Sequence, residues 1–264
     1  MYAFEYQRPT SVADARAALG ADARFLAGGQ SLIQAMKLRL SSSERLVDLG
    51  GIADLKGIKV DGGNIVIGAM VTHAAVAASA DVQRACPALA ELAGGIGDPM
   101  VRNMGTIGGS IANADPAACY PAAVVGLGAT IHTNQRTIAA DAFFTGLYET
   151  ALQPGELITA VSFPALQKAA YVKYKQPASR FALVGVVVSQ GADGVRVAVT
   201  GAKGNVFRAT EIEAALTKSF TPEAAKAVKM PTTDINADMH GTAVYRAAMI
   251  SVMASRAVAA VLAR

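Results

Sequence analysis

Apolar positions recur at helical spacing near the start of the chain, then in short runs bounded by glycine, and the changes of rhythm mark out the elements. Thr10 or Ser11 precedes Val12, Ala15, Ala18 and Leu19, which share one helical face, and Gly20 closes the run, so a capped helix is expected. Residues 25–27 predict a short strand, and Leu32, Ile33, Met36 and Leu40 return at helical spacing after Ser31. Residues 46–49 read as a second strand ending at the Gly50-Gly51 turn. Beyond about residue 56 strands and helices mix. Residues 64–69 are strand-like after Gly62-Gly63, Thr72 caps an Ala-rich helix that begins at His73, and a helix from about 81 to 92 is interrupted near Pro87. A long glycine loop over 97–110 follows, then the stretch 123–129 and strands at 130–133 and 156–163, the last closed by Pro164.

From about residue 170 the runs 171–175, 182–189 and 195–201 suit a small three-stranded antiparallel sheet. Helices over 211–216 and 222–228 come next. A long final helix places Ile250, Met253, Ala254, Ala257, Val258, Val261 and Leu262 on one face, a pattern of core packing. The fold class is α+β, organised as units 1–55, 56–167 and 168–264.

Composition narrows the function. No apolar run approaches the roughly 20 residues that span a bilayer, and the first six residues lack the basic and apolar regions of an export signal, so a soluble, cytoplasmic chain is expected. The net charge of +4 is spread over 24 scattered Lys and Arg, with no basic stripe interleaved with aromatics, which argues against nucleic acid. Cys86 and Cys119 are the only cysteines and have unrelated surroundings, so a zinc site, a disulfide framework or an iron–sulfur cluster on this chain is not expected. His73 and His132 lack companions at metal-ligand spacing and read as structural. No Ser–His–Asp set or catalytic carboxylate pair stands out, so no catalytic side chain is assigned.

What stands out is a pair of glycine corners. One is Ala27-Gly28-Gly29-Gln30-Ser31 after a short apolar run; the other is Thr106-Ile107-Gly108-Gly109-Ser110 within GDPMVRNMGTIGGS. Glycine lets backbone N–H groups approach an anion closely and permits positive φ, so two such corners suit the two phosphates of one diphosphate. Neither G-x-G-x-x-G before a helix nor G-x-x-x-x-G-K-[ST] is present, and Gly126-x-Gly128 lacks a third glycine. Lys37 and Arg39 after the first corner read as ordinary exposed helix cations.

Four segments carry a resemblance: FLAGGQSLIQAMKLRL (25–40), IGDPMVRNMGTIGGSIANADPAACYPAAVVGLGATI (96–131), DAFFTGLYETALQPGELITAVSFP (141–164) and YVKYKQPASRFALVGVVV (171–188). Together they resemble the FAD-binding medium subunit of molybdenum hydroxylases, in the xanthine dehydrogenase family and most nearly of the aerobic carbon monoxide dehydrogenase type. The resemblance implies a vanillyl-alcohol-oxidase-type FAD-binding domain of two α+β subdomains, followed by a C-terminal domain with a three-stranded antiparallel sheet and helices. It also implies that FAD diphosphate is held by Ala27, Gly28, Gly29, Gln30 and Ser31 and by Thr106, Ile107, Gly108, Gly109 and Ser110. Asn113 and Asp115 become polar contacts to the flavin and its hydroxyl-bearing chain, with Ile96 and Ile158 as apolar neighbours. Lys175 is either a cation beside a reduced flavin or a strand-edge surface lysine. Many relatives carry Asp where this chain has Cys119, a weak hydrogen-bonding group; either Asp115 takes over that contact or the cofactor is held less tightly.

The function so implied is electron transfer. A large molybdenum-cofactor subunit oxidises the substrate, a small subunit with two [2Fe–2S] clusters relays electrons, and this chain passes them through FAD to an external acceptor, in a dimer of heterotrimers. Two other readings compete. One is a stand-alone FAD and NADPH reductase resembling the enolpyruvyl-UDP-GlcNAc reductase of cell-wall synthesis; the other is a flavin-free assembly module.

Overall fold

The structure, a computed structural model, describes residues 1–264. Its first 50 residues form β1 (Glu5–Gln7), α1 (Val12–Ala17), β2 (Ala23–Leu26), α2 (Leu32–Lys37) and β3 (Arg45–Asp48). The strands make a parallel sheet in the order β1-β3-β2. Ser11 caps α1, its hydroxyl accepting the Asp14 N–H at 3.0 Å. Ala15, Val47, Leu49, Ile52 and Leu55 close a small core together with Leu157 from far along the chain. Leu40 does not continue the apolar face of α2 as its spacing suggested. The helix stops at Lys37, Arg39 takes a φ of 60°, and Leu40 is left 78% exposed. The first glycine corner leaves the carboxyl end of β2, the edge at which parallel sheets commonly receive ligands.

The middle of the chain builds a five-stranded antiparallel sheet from β4 (Ile58–Asp61), β5 (Asn64–Gly68), β6 (Thr130–Thr133), β7 (Thr137–Ala139) and β10 (Ile158–Pro164), in the order β4-β5-β10-β6-β7. A small hairpin, β8 (Phe144–Gly146) with β9 (Glu149–Thr150), lies beside it. Six helices pack here: α3 (His73–Ala78), α4 (Ala80–Ala85), α5 (Pro87–Gly94), α6 (Pro99–Met104), α7 (Ile107–Asn113) and α8 (Cys119–Gly126). Ile65, Ile67, Val161 and Phe163 of the sheet meet Val76, Leu89, Leu92 and Ile111 of the helices in the largest core.

The expected glycine loop over 97–110 is instead two short helices. Asp98 caps α6 by accepting the Val101 N–H at 2.9 Å with Pro99 at the first helical position, and Thr106 caps α7 by accepting the Gly109 N–H at 3.1 Å. Low helix propensity at Gly108 and Gly109 is overridden by these caps and by close packing. All eight residues of α8 are buried between helices α5 and α7 and the C-terminal sheet. Gly126 permits that approach, since a Cβ there would stand 2.6 Å from a Val187 methyl group.

The C-terminal sheet has the three expected strands, β11 (Ala169–Lys175), β12 (Ala182–Gly191) and β13 (Gly194–Thr200), plus a two-residue fourth, β14 (Phe207–Arg208), all antiparallel in chain order. Helices α9 (Thr210–Lys218), α10 (Pro222–Ala227) and α11 (Ala243–Leu262) cover one face. Six of the seven apolar residues assigned to the core face of α11 are buried against β11 and β12. Leu262, at the last helical turn, is 59% exposed because it follows Val261 by about 100° of rotation. The helix α11 is long and apolar enough to cross a bilayer, and half of its apolar window is buried in this core.

Candidate cofactor site

The two glycine corners touch. A Cβ on Gly28 would overlap the Met104 carbonyl and stand 2.9 Å from Gly105 Cα, and one on Gly109 would stand 3.1 Å from the Ala27 methyl. Backbone therefore meets backbone at the seam, and only glycine fits at Gly28.

The corners divide the labour. In the first, no protein group accepts the N–H of Gly28, Gly29, Gln30 or Ser31, and the Ser31 hydroxyl makes no capping bond to α2. These residues line one wall of a cleft, and of the four corner glycines only Gly29, with φ of 71°, uses the positive φ that glycine permits. In the second, four of the five N–H groups are already engaged, with Ile107 donating to the Val71 carbonyl, Gly108 to Ala69, Gly109 to Thr106 Oγ1 and Ser110 to the Thr106 carbonyl, and only the Thr106 N–H has no protein acceptor. That corner offers its hydroxyls and its lack of side-chain bulk. A Cβ on Gly108 would stand 2.5 Å from Ala69 Cβ, so its glycine seats α7 on the end of β5. Unclaimed N–H groups are thus concentrated in the first corner, with that of Thr106 alone in the second.

Both corners open into one cleft of about 850 Å³, within the range of small-molecule sites. Ala27, Gly28, Gly29, Gln30, Ser31, Ile96, Thr106, Gly108, Gly109, Ser110, Asn113, Asp115 and Ile158 all line it. Ile107 does not. It shares a helical face with Ile111, and both side chains are fully buried in the core, away from the cleft. Lys175 is also outside, in a smaller neighbouring recess. It shares a face of β11 with Lys173, but only Lys173 lies deep enough to reach the cleft.

Several wall residues were not assigned from sequence. Lys173 Nζ donates to the carbonyls of Gly95 and Arg180 at 2.8 Å each and to Cys119 Sγ at 3.4 Å. Arg102 donates to the carbonyls of Ile96 and Gly97, so cations pin the Gly95–Ile96–Gly97 turn against the cleft. Asp115 spends one carboxylate oxygen on the Ala117 N–H and lies beside Tyr148; partial burial and that carboxylate raise the phenol pKa. Glu156 is buried, accepting from Arg136, Thr133 Oγ1 and the Gln153 N–H, and the Arg136 bonds first among these hold its carboxyl down to about 2. The pair fixes the chain where Leu157 and Ile158 enter the wall.

His73, read as structural, is a buried part of the wall, with Nδ1 lacking any partner and the Tyr120 ring 5.2 Å away. Burial, and then the Arg102 charge, lower its pKa from 6.5 to about 4. Between those values the unfolded chain binds the extra proton, so this contribution is complete above the unfolded pKa and is lost as pH falls toward the folded one. Urea unfolding of the flavin-free protein should lose roughly 2 kcal/mol more than His73→Gln does between about pH 7 and about pH 5. Parallel curves for the two proteins would contradict this.

Fold and cleft define a candidate cofactor-binding protein in which two glycine corners line one cleft. Comparison with known proteins makes this specific. Residues 2–166 match the family model described as the FAD binding domain in molybdopterin dehydrogenase. The chain is 38% identical to the carbon monoxide dehydrogenase medium chain of Hydrogenophaga pseudoflava, covering 99% of this chain and 98% of that one. It is 33% identical to the nicotine 6-hydroxylase medium subunit of Paenarthrobacter nicotinovorans, over 97% and 96%. The solved structure of reconstituted CO dehydrogenase from Oligotropha carboxidovorans superposes with a TM-score of 0.89 at 37% identity, over 100% of this chain and 99% of that one. The chain belongs to the family of FAD-binding domains of molybdopterin dehydrogenases. It is the medium, FAD-binding subunit of a molybdenum hydroxylase, an oxidoreductase flavoprotein of α+β fold.

Proposed function

We propose that this chain is the electron exit of a heteromeric molybdenum hydroxylase. In this reading electrons reach its FAD from [2Fe–2S] clusters on a small partner subunit and leave for an external acceptor, while a large subunit with the molybdenum cofactor oxidises the substrate. The assembly is a cytoplasmic dimer of such heterotrimers. The observation that carries the reading is the meeting of the two corners on one cleft, four of whose lining residues, Gly28 to Ser31, have N–H groups that no protein group accepts.

The residues present fit the cofactor. Gly28, Gly29, Gln30 and Ser31 would donate to the diphosphate, and Thr106, Gly109 and Ser110 would close on it from the other side with hydroxyls and a bare backbone. Ile107 acts through the core, by seating α7. Asn113 and Asp115 would hold the hydroxyl-bearing chain, and Ile96 and Ile158 supply apolar wall. Lys175 adds positive charge from the adjacent recess. Bound FAD accepts and releases electrons one or two at a time, a capacity that belongs to the cofactor. The chain's own residues bind it, orient it and limit access to it.

The relatives support substrate choice elsewhere. A carbon monoxide dehydrogenase medium chain and a nicotine 6-hydroxylase medium subunit both align over nearly the full length, although the names of their enzymes point to unrelated substrates. Purification from the native producer should recover this chain with molybdenum and iron in fixed ratio, and the FAD-loaded chain alone should oxidise no organic substrate. Rapid reduction of the isolated chain by NADPH would instead favour the stand-alone reductase.

A further inference from the structure

Beside the cofactor cleft lies a second recess of about 380 Å³, lined by Arg102, Lys173, Lys175 and Arg180 with Glu91 as its one carboxylate. Glu91 is already paired with Arg264. None of the four cations forms an ion pair; of these Arg102 and Lys173 are part-buried, whereas four of the chain's five other part-buried cations find carboxylates, Arg45 with Glu5, Arg196 with Asp141, Arg208 with Glu213 and Arg246 with Asp238, and the fifth, Lys203, lies over the Phe207 ring.

Three of the four are held by backbone carbonyls instead. Lys173 reaches the Gly95 and Arg180 carbonyls, Arg102 those of Ile96 and Gly97, and Arg180 that of Gly97 at 3.3 Å. Carbonyl dipoles fix these side chains in place but leave their net charge uncancelled. Lys175 makes no hydrogen bond or ion pair and stands exposed at the rim, free to close on a ligand. Like charges gathered around one concavity raise the local potential and concentrate anions there.

The recess is distinct from the diphosphate site. No residue of either glycine corner lines it, and it meets the cofactor cleft only through Gly97, Lys173 and Arg180. We infer that this recess is a binding site for a small oxyanion, a phosphate or carboxylate group, received by Lys175 and the free guanidinium N–H groups of Arg102 and Arg180. Lys173 adds charge from behind. The inference goes beyond the electron-exit reading and does not depend on which partners the chain has. An oxyanion there sits one wall away from the cofactor, placed to influence access to it.

The test is calorimetric titration of inorganic phosphate into the FAD-loaded full-length chain, so that the diphosphate site is already filled. Saturable one-to-one binding with Kd of about 1 mM or tighter is expected, weakening about tenfold in Lys175→Gln/Arg180→Gln and about tenfold or more in the single reversal Lys175→Glu. The single variant alters only an exposed, unbonded side chain outside the cofactor cleft, and with its FAD content first matched to wild type it keeps the test valid if the double variant folds poorly. Binding weaker than about 20 mM, or equal in wild type and Lys175→Glu, overturns the inference. So does binding seen with the isolated chain but abolished in the native assembly, which would show that the recess receives an acidic group of a partner.

Discussion

Gly28→Val is expected to leave the purified protein without flavin. Its side chain would be built into the Met104 carbonyl and against Gly105 Cα, backbone that has nowhere to retreat because Gly105 N–H is bonded to the Val101 carbonyl and its own carbonyl to the His73 N–H. The two corners must part, at a cost of about 1–3 kcal/mol in stability. The larger effect falls on the cofactor, because the N–H groups of residues 28–31 lose their alignment with Thr106 and Ser110. We expect FAD affinity to fall at least about 100-fold, measured by titrating flavin-free protein. Gly20→Ala is the matched control: the nearest atom to its new Cβ is 3.8 Å away, and FAD binding stays at the wild-type level.

The largest loss of stability is expected from Arg246→Leu. Arg246 is 3% exposed, and its guanidinium bonds the Leu183 carbonyl at 2.7 Å, the Gly201 carbonyl at 3.0 Å and both oxygens of Asp238 at 2.7 Å. It thereby ties α11 to the start of β12 and the end of β13. Leucine fills part of the volume but leaves two buried carbonyls without their donor, so unfolding in urea should show a loss of about 3–5 kcal/mol. Asp238→Asn should cost far less, since that side chain is 46% exposed and water replaces part of the bond. Because Leu183 follows Phe181 in the cleft wall by two residues, Arg246→Leu should also loosen FAD binding. A change below about 1 kcal/mol would show that the guanidinium is not the clamp described here.

Much of this architecture was legible in the chain. Of the caps read from the sequence, Ser11 rather than Thr10 caps α1 and Thr72 caps α3, and the two glycine corners stood out as a pair before their meeting was seen. What stayed hidden has physical causes. Residues 99–113 are poor in helix formers, so local preference reads as loop. Caps at Asp98 and Thr106 and the tight seat of Gly108 on Ala69 decide otherwise. Once helical, the segment must turn Ile107 inward with Ile111 and away from the cofactor, a consequence that a loop reading cannot contain. Lys173 and Lys175 share one face of β11, and period-two alternation selects a face without giving depth. Only the fold shows that Lys173 is half-buried with its ammonium bonded to backbone carbonyls while Lys175 stays exposed at the rim. The two-residue strand β14 is too short to carry any periodic signal.

The most direct test is amide hydrogen exchange with and without FAD. If residues 28–31 hold the diphosphate through otherwise unclaimed N–H groups, FAD should slow exchange there strongly, while the N–H groups of residues 107–110, already bonded within the protein, change little. Unchanged exchange at residues 28–31 in protein that has demonstrably taken up FAD would contradict the account.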